Sequence, residues 1–234
     1  RVRNIRNRKG ICTAMIFTPL DIPLIPSKES ILKNFVAEDT FAWWKEETLL
    51  GVKDLSKPFG EPKQWTESAK EKYPELIKWI DEYFPFEYKF YVRLARSTGN
   101  VAPHVDGNYT KAPHPHHMTI TQEMFDHQRA NEPIGYRFVV SGSRDTLYMC
   151  NEYDYSKDMS NQKKVYCTIP NDTDAFLINN CTQPHGVDVK EGVDDDRIVG
   201  FVLGKVNVKQ HQQLISNSNK RYNRYSITKE HLYK

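Results

Sequence analysis

The sequence lacks long hydrophobic runs, paired-cysteine motifs, internal repeats and low-complexity linkers. No apolar stretch approaches the roughly 20 residues that a transmembrane helix needs, so no membrane association is expected. The four cysteines, Cys12, Cys150, Cys167 and Cys181, show neither C-x-x-C spacing nor the density of a disulfide framework. Reduced thiols in a cytoplasmic protein are the simplest interpretation.

A large excess of one charge is also missing. The net charge of +3 is too small to indicate a polyanionic partner. The first ten residues carry five Lys or Arg without a following apolar segment, so a secretory signal is not expected. From Lys205 onward there are seven Lys or Arg against one acid, Glu230. Solvated termini are the first interpretation and a footprint for an anionic partner the second; nucleic acid is not expected, although the basic termini leave it open.

The 234 residues suffice for one domain with a single core, and the sequence pattern changes near residue 88. Two helices are predicted before it, at Ser27–Val36 and Thr66–Ile80, because apolar residues recur at helical spacing. An earlier strand is predicted at Ile11–Phe17. Short segments rich in β-branched and aromatic residues follow, separated by turn-forming residues, at Tyr88–Leu94, Tyr136–Val140, Thr146–Cys150, Lys164–Ile169, Ala175–Ile178, Gly186–Val189 and Ile198–Leu203.

This pattern predicts a mainly β fold, a sandwich or barrel, with flanking helices. We expect a single domain over residues 1–234. It would consist of a helical N-terminal half (about 1–87), a β core (about 88–206) and a basic C-terminal extension (207–234).

A pair of candidate metal ligands stands in the motif His104-Val105-Asp106. In an extended strand alternate side chains share a face, so His104 and Asp106 can bind one ion together. His185 supplies a third ligand after an apolar segment. Two imidazoles and one carboxylate cover one face of an octahedron and leave three positions open, which is the arrangement of non-haem Fe(II) oxygenases.

Arg197 follows His185 across an acidic turn and begins an apolar segment, so we expect the two residues on neighbouring antiparallel strands. A buried guanidinium needs a carboxylate, which its fork binds bidentately. Arg197 is therefore placed to hold the far carboxylate of a dicarboxylic cosubstrate. The alternative is that His185 caps a turn and Arg197 pairs with Asp194 or Asp195 at the surface.

His104-x-Asp106, His185 and Arg197 together resemble the Fe(II)/2-oxoglutarate-dependent oxygenases, nearest to the aspartyl/asparaginyl β-hydroxylase and prolyl-hydroxylase-like branch. The resemblance covers about residues 88–206. It implies a double-stranded β-helix (jelly roll), with Fe(II) on the triad and 2-oxoglutarate on Arg197. It also implies hydroxylation of a C–H bond of an amino-acid side chain, with O2 consumed and ascorbate as an optional reductant.

The resemblance implies a small-molecule or peptide substrate, the amino acid being free or within a protein. The asparaginyl hydroxylases proper often lack the carboxylate ligand that Asp106 provides here. Halogenating relatives replace that carboxylate with a small residue, so Asp106 favours hydroxylation.

Other residues keep more than one interpretation. Arg137, Tyr91 and Tyr148 are candidates for contacting the cosubstrate, but alternation does not tell which face each occupies, and Arg137 is equally compatible with a solvent-facing position. The loop histidines either form a second metal site or line a substrate mouth; they are His114, His116 and His117.

Two other functions remain open. One is a non-catalytic jelly-roll module that binds a ligand. The other is a cupin-type isomerase or dioxygenase, although cupins use more closely spaced His and Glu ligands than this chain offers.

Overall fold

A computed structural model describes residues 15–35, 39–41, 44–49, 60–106, 121–151, 162–190 and 196–233. Its elements are β1 (Met15–Pro19), α1 (Lys28–Asn34), β2 (Asp39–Phe41), β3 (Trp44–Leu49), α2 (Glu67–Lys72), α3 (Pro74–Tyr83), β4 (Phe86–Thr98), β5 (Val101–His104), α4 (Gln122–Ala130), β6 (Gly135–Ser141), β7 (Leu147–Cys150), β8 (Lys164–Tyr166), β9 (Ala175–Ile178), β10 (His185–Val187), β11 (Asp196–Val206), α5 (Val208–Tyr222), β12 (Ile227–Thr228) and a 3-10 helix at Lys229–Leu232.

The strands form two antiparallel sheets. The large sheet has the order β12-β1-β9-β6-β11-β4-β3-β2 and the small sheet the order β5-β10-β7-β8. Four nested pairs connect the strands from β4 to β11: β4 with β11, β5 with β10, β6 with β9, and β7 with β8. This pairing is that of one long hairpin folded over so that its strands alternate between two sheets. The prediction of a mainly β fold with helices is confirmed.

Strand β11 shows how the large sheet separates two environments. Ile198 and Val202 are buried on one face, where they join the core beneath the helices. Val199 and Phe201 point to the opposite face and line a cavity between the sheets. The two-residue period of a strand produces this division. Each fully buried aliphatic side chain contributes roughly 1.5–3 kcal/mol, so the helix-covered face supplies much of the hydrophobic stabilisation.

The helices cover the outer face of the large sheet. In α3 the residues Leu76, Trp79 and Ile80 are buried, and the Trp79 ring meets the edge of Phe138 at a centroid distance of 5.5 Å. The helix predicted at Thr66–Ile80 is two helices, α2 and α3. Pro74 opens α3, and a residue that precedes proline is disfavoured in helical conformation, so α2 ends before it.

The N-terminal half and the C-terminal extension contain more secondary structure than the sequence predicted. The N-terminal half contributes strands β1, β2 and β3 to the large sheet, in addition to helices. The expected basic extension forms α5, which buries Ile215 and Tyr222, and β12, which pairs with β1. A polar helix with few apolar residues can still pack because its buried positions recur on one face. Of the described helices, none has the length and apolarity required to cross a bilayer.

His211 attaches α5 to the sheet through a buried hydrogen-bond chain. Its Nδ1 lies 2.6 Å from the Tyr136 hydroxyl, and its Nε2 lies 3.0 Å from the carbonyl oxygen of Asn131. A carbonyl oxygen can only accept, so Nε2 carries the hydrogen and Nδ1 accepts from Tyr136. Burial lowers the pKa of His211 to about 4, so the imidazole is neutral in the folded protein.

This predicts an acid-sensitive contribution to stability. An unfolded histidine titrates near pH 6.5, so between about pH 6.5 and pH 4 the unfolded chain gains a proton that the folded chain does not. The free energy of unfolding therefore falls as the pH falls. The His211→Asn variant lacks this titrating group. The difference in free energy of unfolding between the parent and the variant, measured by denaturant unfolding, should therefore fall by about 3 kcal/mol from pH 7 to pH 4.

Gln212→Asn on the exposed face of α5 provides the control, because it exchanges one uncharged amide for another and its stability difference from the parent should not change with pH. A stability difference between His211→Asn and the parent that stays constant from pH 7 to pH 4 would contradict the assignment.

Candidate metal centre

Two histidines and one aspartate converge where the small sheet faces the cavity. His104 ends β5 and His185 begins β10, and the two residues are paired in register across these strands. Asp106 lies two residues beyond His104. One ligand atom from each side chain lies within 4.8 Å of the others. Within the described part of the chain, this group consists of the same three residues as the predicted triad.

The separations between the donor atoms fit an octahedral ion. The Asp106 Oδ1 lies 3.2 Å from His104 Nε2 and 3.6 Å from His185 Nε2. Ligands about 2.1 Å from a metal and at right angles to one another are roughly 3.0 Å apart. Both separations between the carboxylate and an imidazole are therefore close to those of two ligands on one cation.

Both imidazoles are oriented by their own backbone. The Nδ1 of His104 donates to the carbonyl of Ala102 at 2.8 Å, and the Nδ1 of His185 donates to the carbonyl of Gln183 at 3.1 Å. These bonds fix the tautomer, since the hydrogen on Nδ1 leaves the Nε2 lone pair available for a metal. The side chains are pre-organised as ligands.

The second carboxylate oxygen of Asp106 is held from behind. Its Oδ2 accepts from Arg137 Nη2 at 2.7 Å and from Asn180 Nδ2 at 3.1 Å. The Asp106 backbone N–H donates to the Asn180 carbonyl at 2.7 Å. With Oδ2 engaged, Oδ1 is presented to the two imidazoles.

The electrostatics of the centre favour an ionised carboxylate. Burial raises the pKa of Asp106, but His185, His104 and Arg137 outweigh it and hold the pKa well below its ordinary value. Burial lowers the pKa of His104, and Asp106 with the Ala102 carbonyl more than offsets this, so the net pKa is raised. Metal ligation requires neutral imidazoles. A bound metal would therefore displace a proton from His104 if that imidazole were protonated beside Asp106.

Arg137 lies inside the protein and not on the solvent side. It is buried, and besides Asp106 it donates to the carbonyl of Tyr136 at 3.0 Å. Its guanidinium carbon stacks 4.3 Å from the ring centroid of Phe201. These contacts favour a role in orienting Asp106. Binding of a cosubstrate by Arg137 stays a prediction.

Arg197 lines the same cavity but not in the expected arrangement. His185 belongs to the small sheet and Arg197 to the large sheet, so they are not on neighbouring antiparallel strands. The chain between them crosses from one sheet to the other. The hydrophobic pattern predicted both strands but does not specify the sheet to which each belongs.

Buried polar contacts orient Arg197. Its Nη1 donates to Thr146 Oγ1 at 3.0 Å, and its Nη2 donates to the carbonyl of Gly99 at 2.9 Å. Gly142, at a φ of 92°, leaves the space beside it, since a Cβ there would collide with the Arg197 side chain. The expected surface pairing with Asp194 or Asp195 concerns residues outside the described ranges.

The cavity has a volume of about 360 Å³ and a strongly cationic lining. Its described walls carry Arg93, Arg137, Arg144 and Arg197 against a single carboxylate, Asp106. Valine, isoleucine, leucine and phenylalanine side chains supply the remaining apolar surface. A small anion with an aliphatic body matches such a site.

Arg144 serves the structure of the cavity wall. It donates to the carbonyls of Ile169 at 3.1 Å and Pro170 at 2.7 Å, and also to that of Thr173. It pairs with the fully buried Asp174 at 2.9 Å. Its donors are thus directed into the wall.

Neither of the two tyrosines expected near the cosubstrate lines this cavity. Tyr148 is buried on the other face of the small sheet, 6.0 Å from the Tyr166 ring, with the Lys164 ammonium 4.3 Å from its own ring. Tyr91 packs beside Phe90 and Leu203, farther along β4 than the cavity extends. Their expected contact with the cosubstrate has no support from these positions. The histidines of the expected second metal site, His114, His116 and His117, lie outside the described residues.

Asn180 contacts Asp106, a partnership for which the sequence contained no specific signal. Nothing in a lone asparagine after a strand indicates that it meets an aspartate far upstream. Its place is secured by Gly135, where a Cβ would collide with the Asn180 side chain. The pair of asparagines between β9 and His185 was the available hint.

Comparisons with known proteins add little to this picture. No family model matches the sequence, and no curated protein matches it either. Among solved structures, the chain is similar to a crystal structure of an oxidoreductase of the 2OG-Fe(II) oxygenase family from Burkholderia pseudomallei. The TM-score is 0.41 and the identity 7%, over 78% of each chain. A likeness of this degree carries no inference, so what this chain does has to follow from its own side chains.

The centre predicts one divalent ion per chain. His104→Ala and His185→Ala should each reduce bound Fe(II) or Mn(II) sharply, because each removes one of three protein ligands. Metal content after dialysis measures this, with His231→Ala as the exposed control. Full metal occupancy in both variants would contradict the assignment of His104 and His185 as metal ligands.

A second prediction concerns Asn180. Asn180→Ala should weaken metal affinity by about 10–100-fold, since partners that orient a ligand contribute this much. The matched control is Asn217→Ala on the exposed face of α5. Equal metal affinities in the two variants would show that Asn180 does not orient Asp106.

Proposed function

We propose that this protein is an Fe(II)- and 2-oxoglutarate-dependent dioxygenase that hydroxylates a C–H bond of an amino-acid side chain, free or within a peptide. The observation that carries the proposal is the convergence of His104, Asp106 and His185 in a cavity that Arg197 also lines. Two imidazoles and one carboxylate with open positions are the ligand set of this class of oxygenase. The guanidinium is a bidentate partner for the second carboxylate of the cosubstrate.

The strand pairing supports a double-stranded β-helix, or jelly roll, for residues 86–206. Eight strands that alternate between two four-stranded layers in nested pairs are expected of this architecture. Such a fold brings the ends of β5 and β10 to one side of the cavity and β11 to the other. The histidines that would bind the metal therefore lie across the cavity from Arg197, which would bind the anion.

The bound metal and 2-oxoglutarate would supply the oxidising chemistry that activates O2. The protein would hold the ion through Nε2 of both histidines and Oδ1 of Asp106. Arg197 would bind the far carboxylate, with Thr146 and Gly99 keeping its guanidinium in place. Val139, Val199 and Ile178 line the cavity and would exclude water around the methylene groups.

The charges of the site are consistent with this assignment. A divalent cation would face the carboxylate of the cosubstrate that chelates it, and Asp106 is already compensated by Arg137 at 2.7 Å. Arg197 would offset the carboxylate that the metal does not reach. The free thiols of Cys150, Cys167 and Cys181 agree with a reducing compartment, and the cytoplasmic location stays a prediction.

Arg197→Ala should raise the 2-oxoglutarate concentration needed for half-saturation by roughly thirty-fold or more. Removing one partner of a partly buried charge pair costs about 2–5 kcal/mol, at about 1.4 kcal/mol per tenfold change. Arg197→Lys should recover only part of the loss, because an ammonium lacks the fork. Calorimetric titration of the metal-loaded protein measures this.

Metal binding should stay near the parent level in both Arg197 variants, and the exposed Arg224→Ala is the control. Parent-like affinity for 2-oxoglutarate in Arg197→Ala would refute the role. Arg137 would then be the next candidate for binding the far carboxylate of 2-oxoglutarate.

Asp106→Ala should abolish Fe(II)-dependent formation of succinate from 2-oxoglutarate while the fold survives. The change removes a ligand and its charge together. Circular dichroism reports the fold, and Asp126→Ala on α4 is the control for loss of a partly exposed carboxylate. Full turnover in Asp106→Ala would show that the carboxylate is not a ligand.

A further inference from the structure

A second pocket lies at the edge of the large sheet, apart from the metal centre. In the described residues, β3 pairs with β4 from Arg93 to Arg96. Farther along β4, the N–H of Lys63 donates to the carbonyl of Lys89 at 3.1 Å. The pocket formed there, which we call the edge pocket, has a volume of about 270 Å³. None of its described lining residues borders the metal cavity; they include Pro62, Lys63, Trp65, Tyr88, Phe90 and Tyr91.

An irregularity in β4 brings consecutive residues to this pocket. Residues 88–92 all line it, whereas in a regular strand only alternate side chains would share a face. Tyr91 is paired with Leu203 and Lys89 with Gly204, which leaves Phe90 as an extra residue between the two pairs. A bulge of this kind bends a strand and redirects its side chains. Phe90 and Tyr91 therefore belong to one apolar cluster although they are neighbours in the sequence.

One carboxylate borders the edge pocket among the described residues, and both of its oxygens are engaged. The Asp81 Oδ1 lies 2.7 Å from the ammonium nitrogen of Lys89, and its Oδ2 accepts from the indole N–H of Trp65 at 3.0 Å. The charge of Asp81 is thus compensated by Lys89. The same contacts hold the Trp65 ring and the Lys89 side chain in place.

Lys63 presents a buried ammonium to the edge pocket. Its Nζ is buried and has no hydrogen-bond partner among the described residues. An ammonium carries three donors, and a buried charge is unfavourable unless it is paired. Two lysines, Lys63 and Lys89, stand against the single Asp81, so the described lining carries one net positive charge. The group that complements Lys63 is an acceptor with a negative charge.

From these contacts we infer that the edge pocket binds a small aromatic anion, one ring that carries a carboxylate or a phosphate. The oxyanion accepts charge-assisted hydrogen bonds from Lys63. The ring packs among Trp65, Tyr88 and Tyr91, because aromatic groups favour stacked and edge-to-face contacts with one another. The inference is independent of the proposed function, since it uses no residue of the metal cavity.

The size and the charge of the edge pocket narrow the class of ligand. Its volume of about 270 Å³ lies just below the range of roughly 300–1,000 Å³ that is usual for small-molecule sites. Such a space suits one ring with a short acidic chain. A polyanion would instead require a row of cations, whereas among the described lining Lys63 is the lysine that Asp81 does not compensate.

The test titrates the full protein with phenylacetate, with phenyl phosphate and with the neutral phenylacetamide. EDTA keeps divalent ions away from the metal centre, so that the anions do not bind there through a metal. Isothermal titration calorimetry measures each affinity up to millimolar concentrations. At least one anion should bind about tenfold or more tightly than the amide, because only an anion pairs with the buried ammonium.

Lys63→Met removes the charge and keeps the length of the side chain, so it should weaken anion binding about tenfold or more. Lys63→Arg should keep part of the affinity, because it keeps the charge in a different shape. The anion should raise the melting temperature of the parent but not that of Lys63→Met. The control is Lys78→Met at an exposed position of α3, which should leave every affinity unchanged.

Preference for phenylacetate or for phenyl phosphate identifies the oxyanion, and either result supports the inference. Equal binding of the anions and the amide, no binding of either anion, or parent-like affinity in Lys63→Met overturns it. Anion binding that is lost in Arg197→Ala but kept in Lys63→Met assigns the anion to the metal cavity and overturns the inference too. Without ligand, Lys63→Met should melt no lower than Lys78→Met, because it removes an unpaired buried charge. A lower melting temperature would show that the protein itself satisfies the ammonium, which also overturns the inference.

Discussion

The carboxylate of Asp106 is the group on which the site depends, because it connects every element that contributes to the centre. Its Oδ1 faces the imidazoles of the small sheet, and its Oδ2 accepts from Arg137 of the large sheet and from Asn180 after β9. A carboxylate in this position is costly to bury unless each oxygen is paired. The same contacts that compensate the charge also orient it. The two sheets are thus held in register at the point where a metal would bind.

The polar centre is tolerated because hydrophobic burial lies elsewhere. The helices pack on the outer face of the large sheet, where Trp79, Phe84 and Phe138 form edge-to-face contacts. Between the sheets, the apolar cluster around Phe17 and Phe176 lies to one side of the cavity. A cavity lined by four arginines contributes little hydrophobic stabilisation. The larger of these apolar clusters thus lies on the face of the large sheet opposite the cavity, and the smaller one borders the cavity.

The sequence predicted which three side chains come together better than it predicted what surrounds them. Strand alternation predicted that His104 and Asp106 lie on one side, a local inference from two positions, and the two side chains do approach each other although β5 ends at His104. The assignment of His185 and Arg197 to opposite sheets could not be predicted, because a hydrophobic period does not tell which strands pair. The positions of Tyr91 and Tyr148 could not be predicted either: alternation does not say which face of the small sheet borders the cavity, and it does not say how far along β4 the cavity extends. The packing of α5 depends on four buried positions in a largely polar helix. So few buried positions among many charged residues are a weak signal for an amphipathic helix.

The two guanidinium groups on Phe201 lie on one face of the large sheet, and the charge of one of them is offset by Asp106. Like charges held near one another on one face of a sheet are destabilising, and Arg93 and Arg137 flank the same residue of β11 from either side. Asp106 compensates Arg137 at 2.7 Å, which leaves their repulsion small. The carboxylate therefore has two roles, as a ligand and as the counter-charge that allows a second arginine beside it. The arginine that orients Asp106 is itself neutralised by that carboxylate, so it can lie beside another guanidinium at a reduced electrostatic cost.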